Sequence, residues 1–347
     1  MSQVTGSVTT ETRKVDHIRI NLEENVQFPR ISTGLERYRF MHQALPEVDL
    51  EAIDTSVTLL DKELSAPILI SSMTGGTQMA HRLNRHLAEA AQTHNFAMGV
   101  GSQRAALEDA ELARSFEIRD IAPDAVIFAN IGAVQLNYGY GVEHCRRAID
   151  MVEANALILH FNVLQEAVQP EGDTNFAGLL DKIEKLTRDL DVPVIAKEVG
   201  WGFSEQNARG LANAGIAAID VAGAGGTSWS EVEYHRAPTT SHAKIAAAFA
   251  DWGIPTADAI QYAVKGAPDL EIIASGGLRD GIDIAKCIAL GAKVGGLAGP
   301  FLKAADISME EVHNLCHELV AQLKIAMLCT GTRTIAELQQ VPLHQIS

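Results

Sequence analysis

A closed barrel of eight parallel strand–helix units is the fold that the sequence predicts, and three observations support it. Short β-rich runs alternate with helical patterns from about residue 66 onward, which is typical of strand–helix repeats around a parallel sheet. There are eight such runs, the number that closes a barrel of this kind. The chain has 347 residues, a length that such barrels reach as one domain.

Each predicted strand is a short, largely apolar run, as expected for strands that are buried on both faces of a parallel sheet. Helix signals separate the runs: Ser204 is placed to cap a helix start, and Gly215 and Gly291 are placed to end helices. The predicted strands lie near residues 67–71, 96–100, 126–130, 157–161, 194–198, 218–222, 271–275 and 294–298.

The remaining segments are predicted to belong to the same domain. Residues 1–12 are rich in Ser, Thr and Glu and are predicted to be a flexible N-terminus. Residues 13–65 are predicted to form an N-terminal extension and residues 66–347 the barrel, with a closing amphipathic helix at 309–328.

The connection at 223–255 is unusually long for a barrel. Long loops on barrels are often lids or binding loops. We expect a short helix around 242–249 within this connection and no independent domain.

The acidic composition restricts the partners that the protein can have. A formal net charge of −16 argues against general attraction to nucleic acid or to an anionic membrane, since both require a positive protein surface. An anionic substrate would need local cations. No apolar run approaches membrane-spanning length, and the first residues lack the apolar core of a signal peptide, so we expect a soluble, cytoplasmic protein.

The four cysteines, Cys145, Cys287, Cys316 and Cys329, have neither the spacing of a metal site nor the density of a disulfide scaffold. A reducing compartment fits this usage. We expect all four thiols to fill space on helices.

An apolar run at 156–159 ends abruptly in four polar side chains, those of His160, Asn162, Gln165 and Glu166. Side chains just past the carboxyl end of a parallel strand project into the ligand crevice, because the connecting loops gather on that face. The tip of this strand is therefore predicted to lie in an active site.

Glycine-rich loops follow the seventh and eighth predicted strands, which are neighbours in a barrel. Glycine lets backbone amides approach a phosphate closely, and a helix N-terminus after each loop adds a favourable dipole. The alternative is that these glycines only turn the chain. Arg279 has two roles open, pairing with the phosphate or facing solvent. The predicted phosphate-binding residues are Gly276, Gly277, Leu278, Arg279, Ala298 and Gly299.

Other strand ends fit the rest of a flavin mononucleotide (FMN). Hydroxyl and amide groups there suit the polar edge of the ring. A lysine near N1 and the C2 oxygen would stabilise the anionic reduced flavin, although a strand-end lysine also simply extends to solvent. The residues predicted to bind this part of FMN are Ser72, Met73, Thr74, Ser102, Asn130 and Lys197, and Thr227 is placed to contact the phosphate.

Several motifs together resemble one family, the FMN-dependent type 2 isopentenyl-diphosphate isomerases. The resemblance extends from Arg13 to about Leu302. It is carried by Arg13-Lys14-x-Asp16-His17-Ile18, Ser72-Met73-Thr74-Gly75-Gly76, Gly101-Ser102-Gln103-Arg104, Asn162-x-x-Gln165-Glu166 and Gly223-Ala224-Gly225-Gly226-Thr227-Ser228-Trp229.

This resemblance implies interconversion of isopentenyl and dimethylallyl diphosphate with reduced FMN and Mg²⁺, without net redox change. It further implies NADPH as the reductant of the flavin and a homo-oligomer, a tetramer or octamer. Gln165 would be the catalytic residue that orients the substrate near the flavin, where the proton is exchanged. Glu166 would hold Mg²⁺ on the diphosphate, a hard ion that takes few protein ligands.

The resemblance also assigns a diphosphate site. Its cations would be Arg13, Lys14 and Arg104, brought in part by an N-terminal arm that folds over the barrel mouth. His17 would bond the diphosphate or fix that arm, and His160 would line the site or serve a structural role. The full implied set of substrate-binding residues is Arg13, Lys14, His17, Ser102, Gln103, Arg104, His160, Asn162 and Gln165.

Two alternatives are weighed against the isomerase. An FMN-dependent 2-hydroxy-acid oxidase or dehydrogenase would need a histidine with a nearby arginine after a late strand. The loop at 223–226 has only glycine and alanine. A non-catalytic flavin-binding protein would not need polar groups beyond those that hold the cofactor.

Overall fold

The computed structural model describes residues 10–73 and 75–346 of the chain, and it consists of one barrel with flanking elements at both ends. The strands are β1 (Tyr38–Phe40), β2 (Val57–Leu59), β3 (Lys62–Leu64), β4 (Ile68–Ile70), β5 (Ala97–Gly99), β6 (Val126–Gly132), β7 (Ala156–Phe161), β8 (Val194–Glu198), β9 (Ala218–Asp220), β10 (Glu271–Ser275), β11 (Val294–Leu297) and β12 (Leu343–Gln345). The helices are α1 (Thr10–Glu23), α2 (Gln78–His94), α3 (Arg104–Glu108), α4 (Val142–Val152), α5 (Val163–Val168), α6 (Leu179–Asp189), α7 (Glu205–Asn213), α8 (Trp229–Arg236), α9 (Thr240–Ala247), α10 (Thr256–Gly266), α11 (Gly281–Ala289), α12 (Gly299–Ile307), α13 (Met309–Thr330) and α14 (Ile335–Leu338).

Strands β4 to β11 close into a parallel barrel, which confirms the predicted fold class. The closure is made where β11 pairs with β4, with Gly295 opposite Ile68 and Leu297 opposite Ile70. Each of the eight predicted strands is present, and its bounds agree with the prediction to within two residues.

Burial along β7 explains why its tip is chemically distinct from its body. The first four residues of the strand are buried, whereas His160 and Phe161 at the end are only partly buried. Side chains inside the barrel and helices outside it cover both faces of the strand body. The loop that follows β7 therefore emerges at the carboxyl face of the barrel, where polar groups are accessible to a ligand.

The connection at 223–255 contains two helices, whereas the sequence predicts one. The predicted helix around 242–249 corresponds to α9, which spans Thr240–Ala247. The second, α8, was not predicted. It packs against α9, α5 and α1, so this connection is a folded part of the carboxyl face.

A small antiparallel ladder joins the N-terminal extension to the C-terminal segment. Strand β1 pairs with β12, with Tyr38 opposite Gln345. The N-terminal extension begins in helix α1, which starts at Thr10 inside the segment predicted to be flexible; residues 1–9 lie outside the described residues. The closing C-terminal helix is confirmed as α13.

The predicted helix signals and the interpretation of the cysteines are also confirmed. The Ser204 hydroxyl accepts the Asn207 N–H at 3.2 Å, and Gly215 and Gly291 have φ of +81° and +107° just after their helices. All four cysteines lie on helices. Within the described ranges, no helix is both long and apolar enough to cross a membrane.

Candidate active site

The polar tip of β7 forms one hydrogen-bonded group. Asn162 precedes α5, and its Nδ2 donates to Gln165 Oε1 at 3.3 Å and to Glu166 Oε1 at 2.8 Å. The three side chains are buried, with 5 to 9% of their surface exposed. The structure therefore brings together the three residues that the motif predicts, and it fixes the orientation of the Gln165 amide.

Both carboxyl oxygens of Glu166 accept hydrogen bonds. Besides the bond from Asn162, its Oε2 accepts from Gln169 Nε2 at 2.6 Å and from the Asp173 backbone N–H at 2.7 Å. An ionised carboxylate has further lone pairs, so these bonds leave room for a hard cation. Among the described residues, no group of three or more His, Cys, Asp and Glu side chains could hold a metal ion.

Glu233 on α8 is a central residue of the site that the sequence interpretation missed. Its Oε1 accepts from Gln165 Nε2 at 3.2 Å and contacts His17 Nε2 at 3.0 Å, and its Oε2 accepts from Arg236 at 2.5 Å. Burial works to raise the pKa of Glu233, but its bond with His17 and the charge of Arg236 outweigh burial and hold the pKa below its usual value. Glu233 is therefore an anion that joins α1, α5 and α8.

Helix α1 brings cations to the carboxyl face. Lys14 Nζ donates to the Ser102 carbonyl at 2.9 Å, next to Gly76 in the loop after β4. Burial, together with the charges of Arg13 and Arg104, lowers the pKa of Lys14 to about 7. Cations that lie close enough to lower the pKa of a neighbouring lysine form a positive region, and such a region favours a bound anion.

Arg104 is oriented by two carboxylates. Its Nε donates to Glu108 at 3.0 Å, and its Nη1 donates to Asp173 Oδ2 at 2.6 Å. Burial opposes the charge, but these two acceptors raise the pKa of Arg104 above its usual value. The guanidinium thus stays charged and points along a fixed direction.

His160 lies inside the site and is uncharged. Its Nδ1 is 2.7 Å from Asn130 Oδ1, and burial with the charges of Lys197 and Lys14 lowers its pKa to about 3. A neutral imidazole that bonds to Asn130 through Nδ1–H can only accept at Nε2. The structure therefore places His160 and Asn130 as one pair at adjacent strand ends.

The strand ends predicted for FMN contain polar atoms that lack protein partners. Lys197 is buried at the end of β8, 3.6 Å from Asp220 Oδ2. Ser72 Oγ and Asp220 Oδ2 are buried and, within the part of the chain that the structure describes, have no hydrogen-bond partner. Because buried polar atoms normally have partners, the unpaired Ser72 hydroxyl fits a polar ligand such as the flavin ring, whereas the charge of Asp220 is balanced by Lys197.

The glycine loops have two different structural roles. Gly276 and Gly277 have φ of +103° and +76°, and a Cβ on either would overlap backbone atoms of the loop that starts at Gly223. They are needed for close packing between loops. A Cβ on Gly299, at the start of α12, would meet no atom within 4 Å, so space is open at that helix N-terminus for a phosphate.

Several predicted residues lie at the edge of this group or behind it. Gln103 is fully buried, and its side chain bonds the Ala148 carbonyl and the Asn130 N–H. Arg279 is exposed, and Thr227 faces Asn21 of the N-terminal arm at 3.5 Å. Met73, Leu278 and Ala298 are placed in the expected loops, and Thr74 lies outside the described residues.

A carboxylate that the sequence interpretation did not assign organises the loop after β8. Glu198 Oε2 accepts the backbone N–H groups of Val199, Gly200, Trp201 and Gly202. Burial raises the pKa of Glu198 to about 7, although these N–H groups act in the opposite direction. The loop presents Trp201 to an apolar cluster beside α5.

Comparison with known proteins identifies the family. The sequence profile of the FMN-dependent dehydrogenases matches residues 8–119 and 148–345. A protein of Nostoc sp. named isopentenyl-diphosphate delta-isomerase is 55% identical over 333 residues, which are 96% of this chain and 95% of that protein. The chain belongs to the isopentenyl-diphosphate delta-isomerases. A second member of that family, from Synechocystis sp., is 53% identical over 335 residues, 96% of each chain.

Solved structures show the fold that this isomerase family shares with flavin oxidases. A mandelate oxidase variant superposes with a TM-score of 0.67 over 95% of this chain and 93% of that chain, at 18% sequence identity. At this identity the likeness extends to the barrel alone. The membership of the FMN-dependent family and the isomerase relatives confirm the predicted family and its use of FMN.

Proposed function

We propose that the protein interconverts isopentenyl and dimethylallyl diphosphate by proton transfer, with reduced FMN and Mg²⁺ and without net redox change. The proposal is supported most directly by the hydrogen-bonded row that runs from Glu233 through Gln165 and Asn162 to Glu166. This row places an oriented amide directly beside a carboxylate. A double-bond shift on a diphosphate needs both groups, one near the reacting carbons and one on the metal.

Gln165 is the proposed catalytic residue. Its Nε2 donates to Glu233 and its Oε1 accepts from Asn162, so neither end of the amide is free to rotate. A fixed dipole of this kind holds the allylic end of the substrate in one position at no reorganisation cost. Glu166 would hold Mg²⁺, and the bound ion would supply positive charge to the diphosphate.

The N-terminal arm is proposed to bind the diphosphate and to cover the barrel mouth. Lys14 and Arg104 supply charge close to Ser102, and His17 fixes the arm through Glu233. The positive charge of Arg13 contributes to lowering the pKa of both Lys14 and His17, so Arg13 lies near the same anion site. The cations are thus concentrated at one place on a protein with a net charge of −16.

Water must be kept from a substrate that develops tertiary carbocation character. An apolar cluster of Phe28, Trp201 and Ala224 packs against Leu164 and Trp229, immediately beside Gln165. Exclusion of water strengthens every electrostatic contact in the site and prevents trapping by solvent.

FMN is proposed to lie across the strand ends between Ser72, Lys197 and Gly299. When bound in its reduced form, it supplies an electron-rich ring and an acid–base position next to the substrate. The orphaned Ser72 Oγ and the open space at Gly299 support this placement, with Lys197 beside the ring. Reduction by NADPH, a tetrameric or octameric assembly and a cytoplasmic location are further proposals that rest on the resemblance alone.

An anaerobic incubation of the reduced holoenzyme with isopentenyl diphosphate and Mg²⁺ tests the proposal. We expect dimethylallyl diphosphate in large excess over protein, with no stoichiometric consumption of reductant. Reduction of oxidised FMN by a 2-hydroxy acid, without formation of the allylic product, would instead identify an oxidase. Binding of FMN and diphosphate with no reaction of either kind would identify a binding protein.

A further inference from the structure

Asp173, in the loop after α5, contacts both halves of the proposed diphosphate site. Its backbone N–H donates to Glu166 Oε2 at 2.7 Å, and its side-chain Oδ2 accepts from Arg104 Nη1 at 2.6 Å. The side chains of Asp173 and Arg104 are 17% and 30% exposed, so this ion pair is partly shielded from water. One residue therefore fixes the carboxylate assigned to Mg²⁺ through its main chain and the guanidinium assigned to phosphate through its carboxylate.

The loop that carries Asp173 is packed too tightly to move independently of Glu166. A Cβ on Gly172 would overlap the Glu166 carbonyl. Gln135 Nε2, fully enclosed in the turn after β6, also donates to Asp173 Oδ2 at 3.1 Å. A displacement of the Asp173 side chain would thus be transmitted to its own N–H, and from there to Glu166.

The contacts of Arg104 leave part of the guanidinium available. Nε donates to Glu108 and one Nη1 proton goes to Asp173. Three of the roughly five N–H donors of an arginine remain for an anion. Because the planar guanidinium is fixed by two carboxylates, its unused Nη protons are held in place for a charge-assisted contact with phosphate.

We propose that Asp173 is a positioning residue that couples Mg²⁺ at Glu166 to diphosphate at Arg104. The proposal rests on the diphosphate and metal roles given above. With Asp173 in place, Mg²⁺ and the guanidinium bind the same diphosphate cooperatively. Without its carboxylate, each group still binds, but Mg²⁺ no longer enhances diphosphate binding to the same extent.

Glu108 provides a matched control. It bonds the same guanidinium, at Nε, and also accepts from the Tyr140 hydroxyl at 3.2 Å. The hydrogen bonds described for Glu166 come from Asn162, Gln169 and Asp173 instead. Asp173→Ala and Glu108→Ala each remove one acceptor from Arg104. Asp173→Ala keeps the backbone N–H that donates to Glu166, but it removes the side-chain bonds from Arg104 and Gln135 that hold this N–H in place. Asp173→Asn keeps an acceptor oxygen and tests whether geometry or charge matters.

The test is calorimetric binding of inorganic diphosphate to the FMN holoenzyme, with and without Mg²⁺. In Asp173→Ala we expect diphosphate to bind about tenfold more weakly with Mg²⁺ and only about threefold more weakly without it, from the loss of one charge-assisted hydrogen bond and of its coupling. Glu108→Ala should weaken binding by the same factor in both conditions. Asp173→Asn should stay within about threefold of the natural protein, because its oxygen still accepts from Arg104.

The Mg²⁺ enhancement of diphosphate binding in the variants decides whether Asp173 couples the two groups. If Asp173→Ala binds Mg²⁺-diphosphate as tightly as the natural protein, or shows the same Mg²⁺ enhancement as Glu108→Ala, the coupling is overturned. FMN content and thermal midpoint report whether each variant is folded. Should Asp173→Ala not fold, Arg104→Ala tests the link from its other end, and retention of the full Mg²⁺ enhancement there would also overturn the proposal.

Because these measurements need no turnover, they separate the coupling from the proposed reaction. A natural protein that binds Mg²⁺-diphosphate but forms no allylic product refutes the isomerase function and leaves the coupling intact. One that binds no diphosphate refutes both. In the isomerase assay, Asp173→Ala should raise the substrate KM and the Mg²⁺ requirement about tenfold while kcat changes less than about threefold, a split that general destabilisation would not produce.

Discussion

The pH dependence of diphosphate binding should be governed by Lys14. Burial and the neighbouring charges of Arg13 and Arg104 lower its pKa to about 7 in the free protein. A bound diphosphate adds negative charge beside the ammonium and returns the pKa toward the usual lysine value of 10.5. Binding therefore takes up a proton whenever the pH lies between these two values.

The size of the effect follows from the ionisation of Lys14. A group with a pKa of about 7 is about nine-tenths charged at pH 6 and about one-tenth charged at pH 8, because each pH unit beyond the pKa changes the ratio tenfold. If only the ammonium form binds, the affinity for diphosphate falls about tenfold from pH 6 to pH 8. The sign is fixed: the lysine is neutral above its pKa, so higher pH weakens binding.

Calorimetry of diphosphate binding at pH 8 in two buffers of different ionisation enthalpy measures the proton uptake directly. The natural protein should take up about one proton at Lys14, and Lys14→Arg should take up none there because arginine stays charged. Diphosphate itself ionises in this pH range, and this affects both proteins equally. The ratio of the diphosphate affinity of the natural protein to that of Lys14→Arg, measured at each pH, cancels this contribution. Equal proton uptake in both proteins, or a flat ratio from pH 6 to pH 8, would refute the assignment.

Three further outcomes are expected. Glu166→Gln should lose activation by Mg²⁺, lowering kcat/KM about 100-fold while FMN still binds, and an unchanged Mg²⁺ dependence of the rate would contradict its role. Gly276→Ala should lower the thermal midpoint, because Gly276 has a positive φ and a Cβ there would overlap adjacent backbone atoms. Gly299→Ala should keep the thermal midpoint and weaken FMN binding. Equal losses of thermal midpoint in the two variants would be inconsistent with the open space at Gly299. His160 should show no titration by NMR between pH 5 and pH 8, since its pKa is about 3, and a midpoint inside that range would disprove its neutrality.

The barrel was predictable because its signals are local. Each strand is a compact apolar run, and residues such as Ser204 and Gly215 mark helix ends by their own side-chain or backbone chemistry. The pairing of β1 with β12 has no such signal, because three-residue strands about 300 positions apart depend on tertiary contacts. Helix α8 was missed because it follows a glycine-rich loop that dominates the local pattern.

The site was predictable where the motif places groups at strand ends, as for Asn162, Gln165 and Glu166. Parallel strands deliver their loops to one face, so such residues converge whatever the details of packing. Glu233 and Asp173 could not be found in this way. Each is an ordinary acidic residue in the sequence, and its role comes only from partners that folding brings from distant segments.

Isomerisation in deuterated water tests the central claim most directly. Isopentenyl diphosphate, Mg²⁺ and the anaerobically reduced holoenzyme are followed by NMR while the absorbance of the flavin is recorded. We expect deuterium to enter the product pool over many turnovers while the flavin spectrum stays reduced, because protons are exchanged and no electrons are consumed. Absence of deuterated allylic product, or oxidation of one flavin for each product formed, would contradict the proposed function.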